Sequence, residues 1–165
     1  MKILVLSDSH SGLGFMRMAI RAVSPDAVVH LGDHYEDAQA MQEEYSHIPF
    51  HLLPGNCDRG RIFQPVPEML CYSVCGVRLY MTHGHNHYVK QSLYRLLEDA
   101  RRLDARAALY GHTHVPDCHR EDDGLWVLNP GSCGSFGGSV GLIEIQDGLI
   151  QSCRILRQPE LEELL

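Results

Sequence analysis

Short apolar runs along the chain stop abruptly at polar residues, and this pattern predicts strands. Five such runs occupy residues 2–6, 27–31, 50–53, 77–81 and 107–110. Each run is shorter than a typical helix, is dominated by aliphatic residues and ends at Gly, Pro or a polar residue, which favours a buried strand. Together they supply the framework of the first two thirds of the chain.

Three segments between these runs carry apolar residues at three- and four-residue spacing, which predicts helices. They cover residues 14–23, 36–45 and 89–103, and the middle one has the weakest pattern. Strands that alternate with helices are typical of βαβ units with mostly parallel strands. The opening of the chain is therefore predicted to be α/β.

The last third of the sequence has a different character. Residues 125–128, 140–145 and 149–156 favour strands, and Asp147-Gly148 is a strong hairpin-turn signal between the last two. An antiparallel β ending is expected to follow the α/β opening. Since the sequence has neither an internal repeat nor a linker, we expect one domain over residues 1–165.

Composition narrows the class of protein. With 165 residues, 44% of them hydrophobic and 21% charged, the chain is typical of a globular domain. A net charge of −7 and only two lysines, Lys2 and Lys90, disfavour binding to long nucleic acid. No apolar run is long enough for a membrane helix or a secretory signal, so we expect a cytoplasmic protein that does not contact membranes. Its six cysteines are then expected to be reduced.

Polar donors follow all five predicted strands of the opening. The set comprises Asp8 and His10, Asp33, Asn56, His83, and His112 and His114. Because sites in α/β proteins form beyond the carboxyl ends of parallel strands, we expect these side chains to meet. Asp and Asn also favour turns, and for Asp8 or Asn56 alone that explanation is equally good. It does not account for seven donors at five strand ends.

Seven donors exceed the four that a single zinc ion usually takes, so the set indicates two metal ions. A pair of ions ~3.5–4 Å apart needs a bridging group, and the two oxygens of a carboxylate suit that role. Asp33, in the middle of the order, is the expected bridge. His112 and His114 lie two residues apart in an expected extended segment, so their side chains share one face.

The order of these motifs resembles the calcineurin-like metallophosphoesterase superfamily. The motifs are Asp-x-His at 8–10, Gly-Asp at 32–33, Gly-Asn at 55–56, the lone His83 and Gly-His-x-His at 111–114. The Gly-Asn-Cys-Asp at 55–58, His-Gly-His at 83–85 and Asn-Pro-Gly-Ser at 129–132 are similar to its YfcE-type phosphodiesterase branch. The resemblance extends from Asp8 to about Ser132.

The resemblance implies a fold and a metal centre. The fold is α/β, a β-sandwich flanked by helices (αββα) with a parallel-rich first half and antiparallel C-terminal strands. One metal would be held by Asp8, His10, Asp33 and His114, and the second by Asp33, Asn56, His83 and His112. Two divalent ions are implied, with Mn as the first expectation and Zn, Fe, Ni or Co as alternatives, because the donors are imidazole and oxygen.

The resemblance also implies the reaction. A water or hydroxide that bridges the two ions would attack the phosphorus of a small phosphodiester. Three further residues are candidates for catalysis: Cys57, Asp58 and His85. Many members of the superfamily have His where this chain has Cys57, and a thiol is a poorer acid for the leaving group, so we expect slow or promiscuous hydrolysis. His85 could contact the substrate phosphate, and a structural loop role is equally open.

Two other functions compete with this hypothesis. A retromer scaffold subunit resembles the same fold but binds protein partners, so a catalytically weak or inactive scaffold is the alternative. Residues 137–141 fit the Gly-x-Ser-x-Gly motif of serine hydrolases. That motif requires a following helix and a downstream His, whereas here a strand is predicted and the last His is His119. The sequence leaves the substrate and the oligomeric state open.

Overall fold

The computed structural model describes residues 1–134 and 138–165, and over these the chain forms ten strands and four α-helices. The strands are β1 (Lys2–Leu6), β2 (Ala27–His30), β3 (Phe50–Leu52), β4 (Met69–Val74), β5 (Val77–Thr82), β6 (Ala107–Leu109), β7 (Asp117–Arg120), β8 (Trp126–Asn129), β9 (Ser139–Gln146) and β10 (Leu149–Arg157). The helices are α1 (Leu13–Val23), α2 (Tyr35–Glu44), α3 (Tyr94–Arg102) and α4 (Gln158–Glu163).

These strands form two mixed sheets of five. The first sheet has the order β10-β9-β1-β2-β3, in which β1, β2 and β3 are parallel and the last two strands of the chain are antiparallel. The second has the order β4-β5-β6-β8-β7, in which β5, β6 and β8 are parallel and the edge strands are antiparallel. The parallel strands lie in the interior of the second sheet, whereas in the first sheet they extend to the edge strand β3.

Strand β1 shows how the layers are built. Because successive side chains of a strand point to opposite faces, Leu4 and Leu6 pack with α1 while Ile3 and Val5 pack with the second sheet. The outer face of the second sheet is covered in turn by α3, where Leu96 is fully buried. The result is a helix–sheet–sheet–helix sandwich, as the resemblance implied.

The predicted elements agree with the observed ones except in two respects. The helix predicted over 89–103 begins only at Tyr94, because Tyr88 adopts a left-handed backbone conformation (φ 55°) and the preceding residues form a 3-10 turn. Strands β4 and β7 were not predicted: both are mostly half-buried, and β7 consists largely of polar residues. The Asp147-Gly148 turn is confirmed, with both residues at positive φ.

Two further expectations concern local features. In the described part of the chain, every helix is too short or too polar to span a membrane. Residue Gly137 of the serine hydrolase motif lies outside the described residues, but strand β9 follows that motif from Ser139, as predicted.

Candidate metal centre

The seven predicted donors lie at one end of the sandwich, where the two sheets meet. The first sheet contributes Asp8, His10, Asp33 and Asn56 from the segments that follow β1, β2 and β3. The second contributes His83, His112 and His114 from the segments that follow β5 and β6. Four of the seven donors therefore come from the first sheet and three from the second. Asp8, Asp33 and His83 are buried, whereas Asn56 and His114 are exposed, so the site opens to solvent on one side.

The backbone at this end of the sandwich is unusual. Asp8, His10, Asp33, His112 and His114 all have positive φ angles, between 41° and 69°. Residues with a Cβ rarely adopt this left-handed region, which costs of order 1 kcal/mol or more each, and such strain clusters at functional sites. The sharp reversals turn each side chain from its strand end toward the shared centre.

Asp8, His10, Asp33 and His114 form the first cluster. They place one ligand atom each within 4.8 Å of the others, an arrangement that could hold a metal ion. The Nε2 atom of His114 lies 3.1 Å from Oδ1 of Asp8 and 3.4 Å from Nε2 of His10. These are the four residues expected for the first ion.

The second cluster is centred on His83. The Nδ1 atom of this fully buried ring is 2.8 Å from the carbonyl oxygen of Leu31, to which it donates. In the neutral ring, Nε2 is then left with a lone pair, and it lies 3.2 Å from Oδ1 of Asn56 and 3.5 Å from Oδ1 of Asp33. When the ring is neutral, all three atoms are acceptors, and such an arrangement suits a metal ion.

His112, the remaining residue expected for the second ion, lies beside His83. Its ring centroid is 5.1 Å from that of His83. Burial, together with the neighbouring His83, lowers the pKa of His112 to about 4, so the imidazole is neutral at pH 7. A neutral imidazole is the form that binds a metal ion.

Asp8 provides a test of whether this centre suits a cation. One carboxylate oxygen, Oδ2, accepts hydrogen bonds from the Ser7 hydroxyl at 2.5 Å and from the backbone N–H of His112 at 3.0 Å. The other, Oδ1, is buried and has no hydrogen-bond partner among residues 1–134 and 138–165, although Nε2 of His114 is 3.1 Å away. An unpaired buried carboxylate oxygen is costly, and a divalent cation would satisfy it. The donor set therefore fits metal ions.

Asp33 lies between the two clusters and is held in place by the loop after β3. Its Oδ1 accepts the backbone N–H of Cys57 at 2.9 Å. Burial raises the pKa of Asp33, but the nearby His83 and the hydrogen bonds from Cys57 outweigh it, so the pKa lies below its ordinary value. Asp33 is thus an ionised carboxylate in reach of both clusters. A side chain in place of Gly55 would collide with it.

Asp58, a predicted catalytic candidate, is buried beneath this loop. Its two oxygens accept backbone N–H groups of Asp33 at 3.0 Å, Tyr35 at 2.9 Å and Gly55 at 2.7 Å. These bonds join the loop after β2 to the loop after β3. With both oxygens engaged by amides, the side chain is placed to position Asp33 and Asn56.

The other two catalytic candidates lie beside the second cluster. Partial burial and the hydrogen bond to Asp33 raise the pKa of the Cys57 thiol to about 11. The ring of His85 has its centroid 5.3 Å from that of His83 and 6.1 Å from that of His112. Both ring nitrogens of His85 are buried and have no hydrogen-bond partner in the part of the chain that the structure describes. Burial and the nearby His83 lower the pKa of His85.

Sequence reasoning missed the residues that support the centre. His34, adjacent to Asp33, packs edge-on against His10 with ring centroids 4.7 Å apart. Asn129 donates to the carbonyl oxygen of Gly111 at 3.1 Å, and the hydroxyl of Ser132 donates to that of Asp8 at 2.7 Å. The only available signals were the adjacency of His34 to a predicted ligand and the Asn-Pro-Gly-Ser motif, whose physical role the sequence does not show.

Two curated relatives are similar to this chain. A probable metallophosphoesterase, YsnB of Bacillus subtilis, is 31% identical over 132 residues, which cover 80% of this chain and 75% of that protein. The phosphodiesterase MJ0936 of Methanocaldococcus jannaschii is 26% identical over 168 residues, covering 89% of this chain and 93% of that protein.

Two solved structures share the fold. Yfce, a phosphoesterase from E. coli, has a TM-score of 0.63 at 18% identity, and the match covers 93% of this chain and 98% of that one. Wild-type Vps29 from Entamoeba histolytica, solved in complex with Zn²⁺, has a TM-score of 0.73 at 20% identity, with 95% and 98% covered. At these identities the likeness concerns the fold.

Residues 1–148 match the calcineurin-like phosphoesterase superfamily domain, a span that includes every predicted donor. The expected resemblance is thereby confirmed, including its phosphoesterase neighbours. The chain belongs to the calcineurin-like phosphoesterase superfamily.

Proposed function

We propose that this protein is a dinuclear metal-dependent phosphodiesterase that hydrolyses small phosphodiesters. The observation that carries the proposal is the convergence of acceptor atoms without donors between them. Within the part of the chain that the structure describes, Asp8 Oδ1 is buried without a hydrogen-bond partner, and His83 Nε2 faces the side-chain oxygens of Asn56 and Asp33. Divalent cations satisfy such a set, and two are needed to use both clusters.

The ligand assignment follows the two clusters. Asp8, His10, Asp33 and His114 would hold one ion, and Asp33, Asn56, His83 and His112 the other, with Asp33 shared. When bound, a pair of divalent ions supplies Lewis acidity, which lowers the pKa of water and neutralises charge on phosphoryl oxygens. We propose Mn²⁺ as the first ion to test, with Zn, Fe, Ni and Co as alternatives.

The remaining side chains have separate roles in this proposal. Asp58 positions the ligand loops through backbone amides. His85 lies beside the second cluster, its ring nitrogens have no partner among the described residues, and it hydrogen-bonds a phosphoryl oxygen of the substrate. The protonated thiol of Cys57 is a poor acid for an alkoxide leaving group, so diesters with good leaving groups are the preferred substrates. The net charge of −7 favours small diesters over long nucleic acids.

Hydrolysis of bis(4-nitrophenyl) phosphate by the metal-loaded protein tests the proposal. We expect Mn²⁺-dependent turnover, and we expect Asp33→Asn and His112→Ala to abolish it. Asp122→Asn, which removes an exposed carboxylate, is the matched control and is expected to retain full activity. Turnover that is the same in Asp33→Asn as in the unmodified protein would contradict the proposed roles.

A protein-binding scaffold is the second candidate function, because Vps29 shares the fold. The enzyme requires all seven donors to bind metal. A scaffold does not, since it can lose ligands without losing its binding surface. Metal analysis of the purified protein separates them. About two ions per chain together with esterase activity supports the enzyme, whereas substoichiometric metal without turnover supports the scaffold.

A further inference from the structure

A pair of thiols lies between the two sheets, away from the candidate metal centre. Cys118 belongs to β7, an edge strand of the second sheet, and Cys153 belongs to β10, an edge strand of the first. Their sulfur atoms are 3.4 Å apart, and the Cys118 thiol is also 3.1 Å from the carbonyl oxygen of Cys153. No other pair of cysteines has a recorded sulfur–sulfur contact in the described part of the chain.

The surroundings keep this pair in place. Both side chains are half-buried and pack against the core between the sheets, and β7 contacts β10 directly. The two sulfur atoms are therefore already in contact across the sheets. Because each is only half-buried, a small oxidant can reach them.

We propose that Cys118 and Cys153 form a reversible disulfide that joins the two sheets. The co-reactant is a low-molecular-weight disulfide such as glutathione disulfide. One protein thiolate attacks a sulfur of that disulfide, forms a mixed disulfide and releases one glutathione thiolate. The second protein thiolate then attacks the protein sulfur and releases the other glutathione. Two protein thiols are oxidised, two glutathione molecules are produced, and two protons leave the protein thiols.

The ionisation of the pair supports this order of steps. The hydrogen bond between the thiols lowers the pKa of Cys118. The thiolate is the nucleophile in disulfide exchange. The thiolate that forms first attacks the small disulfide, and the other thiol then resolves the mixed disulfide.

The bond would constrain the fold as a whole. It links positions 35 residues apart in sequence and on different sheets. Closing a loop of this length reduces the entropy of the unfolded chain, which raises the melting temperature. For a domain of this size we expect an increase of about 5–10 °C.

The test uses the full-length protein and its own thiol count. After incubation with glutathione disulfide, the denatured protein is expected to show four titratable thiols instead of the six in its sequence, and dithiothreitol is expected to restore six. Peptide mapping without reduction is expected to yield one cross-linked peptide pair that contains Cys118 and Cys153. Six remaining thiols, or a cross-link that maps to other cysteines, would overturn the proposal.

Variants distinguish this disulfide from general oxidation. Cys153→Ala and Cys118→Ala are each expected to abolish the cross-link and the rise in melting temperature. Cys75→Ser removes an exposed thiol elsewhere and is expected to leave both unchanged. If the rise persists in Cys153→Ala, the sheets are not joined by this bond. The peptide map of the unmodified protein decides the matter should either alanine variant fail to fold.

Discussion

His83 donates its Nδ1 proton to the carbonyl oxygen of Leu31 across 2.8 Å, and this bond connects the end of β5 to the end of β2. It joins the two sheets at the candidate metal centre. It also fixes which ring nitrogen faces the other donors, because an imidazole that donates from Nδ1 binds metal through Nε2.

Replacing His83 tests both its bond between the sheets and its role as a metal ligand, because each has its own measurement. In His83→Ala the carbonyl oxygen of Leu31 loses a buried partner, so we expect a loss of about 1–3 kcal/mol in the free energy of unfolding. We also expect bound metal to fall from about two ions per chain to about one, because the second cluster loses its central ligand. Urea unfolding and elemental analysis measure the two effects. Two tightly bound ions in the variant would exclude His83 as a ligand.

Asp8→Asn is expected to lower the melting temperature of the metal-loaded protein but not that of the metal-free protein. In metal-loaded protein it weakens binding, since a charged ligand is lost. In chelated protein it removes an unpaired buried charge, while the amide oxygen can still accept from Ser7 and His112, so the melting temperature is expected to stay the same or rise. Thermal unfolding with EDTA and with Mn²⁺ measures both. A lower melting temperature in EDTA would show that Oδ1 has a stabilising partner within the protein.

Metal addition to the chelated protein is expected to stabilise it. An ion that binds only the folded state at 100 times its dissociation constant contributes about 2.7 kcal/mol. For a domain of 165 residues this corresponds to about 5–10 °C in melting temperature. Differential scanning calorimetry over a Mn²⁺ titration measures the shift, and His114→Ala, which lacks one ligand of the first cluster, is expected to reduce it. A melting temperature that is independent of added Mn²⁺, Zn²⁺, Co²⁺ and Ni²⁺ would argue against the centre.

Asp58→Asn tests the positioning role of that carboxylate. The variant keeps one acceptor oxygen but loses charge-assisted bonds to the backbone amides of Asp33, Tyr35 and Gly55. We expect a loss of about 2–4 kcal/mol in the free energy of unfolding, together with weaker metal binding. The exposed Asp122→Asn is the control. Unchanged stability combined with lost turnover would indicate a direct catalytic role instead.

His119 makes stability depend on pH away from the centre. Partial burial lowers its pKa, but Asp117 at 3.0 Å and Glu121 at 3.2 Å outweigh that effect, so the pKa is raised above 6.5. The stabilisation is therefore fully present below pH 6.5 and is lost as the pH rises through the folded pKa. Unfolding experiments are expected to show a larger deficit for His119→Gln at pH 5.5 than at pH 9. An equal deficit at both values would contradict the charged pairing.

The donors of the centre were predictable because each follows a recognisable strand. Asn56 and His83 come from short apolar runs that end at polar residues, and strand direction brings the donors of one sheet to one edge. The meeting of the two edges depends on how the sheets pack. The support of the centre was not predictable in the same way. The hydrogen bonds of Asn129 and Ser132 connect segments more than a dozen residues apart, and nothing in their local sequence specifies those partners.

The local sequence pattern also could not predict which strands belong to which of the two sheets. The runs that begin at Ala27 and Ala107 look alike, yet one belongs to the first sheet and the other to the second. The first sheet packs against α1 and the second against α3. Which of the two sheets a strand joins therefore depends on tertiary packing.

Four of the candidate donors come from the first sheet and three from the second, and this division has a consequence for the molecule's interior. Any substitution that shifts one sheet relative to the other, even at the distant face between Val5 and Leu79, changes the spacing between opposing ligands. Metal affinity would therefore report how well the two sheets pack, even in variants in which every candidate ligand is unchanged.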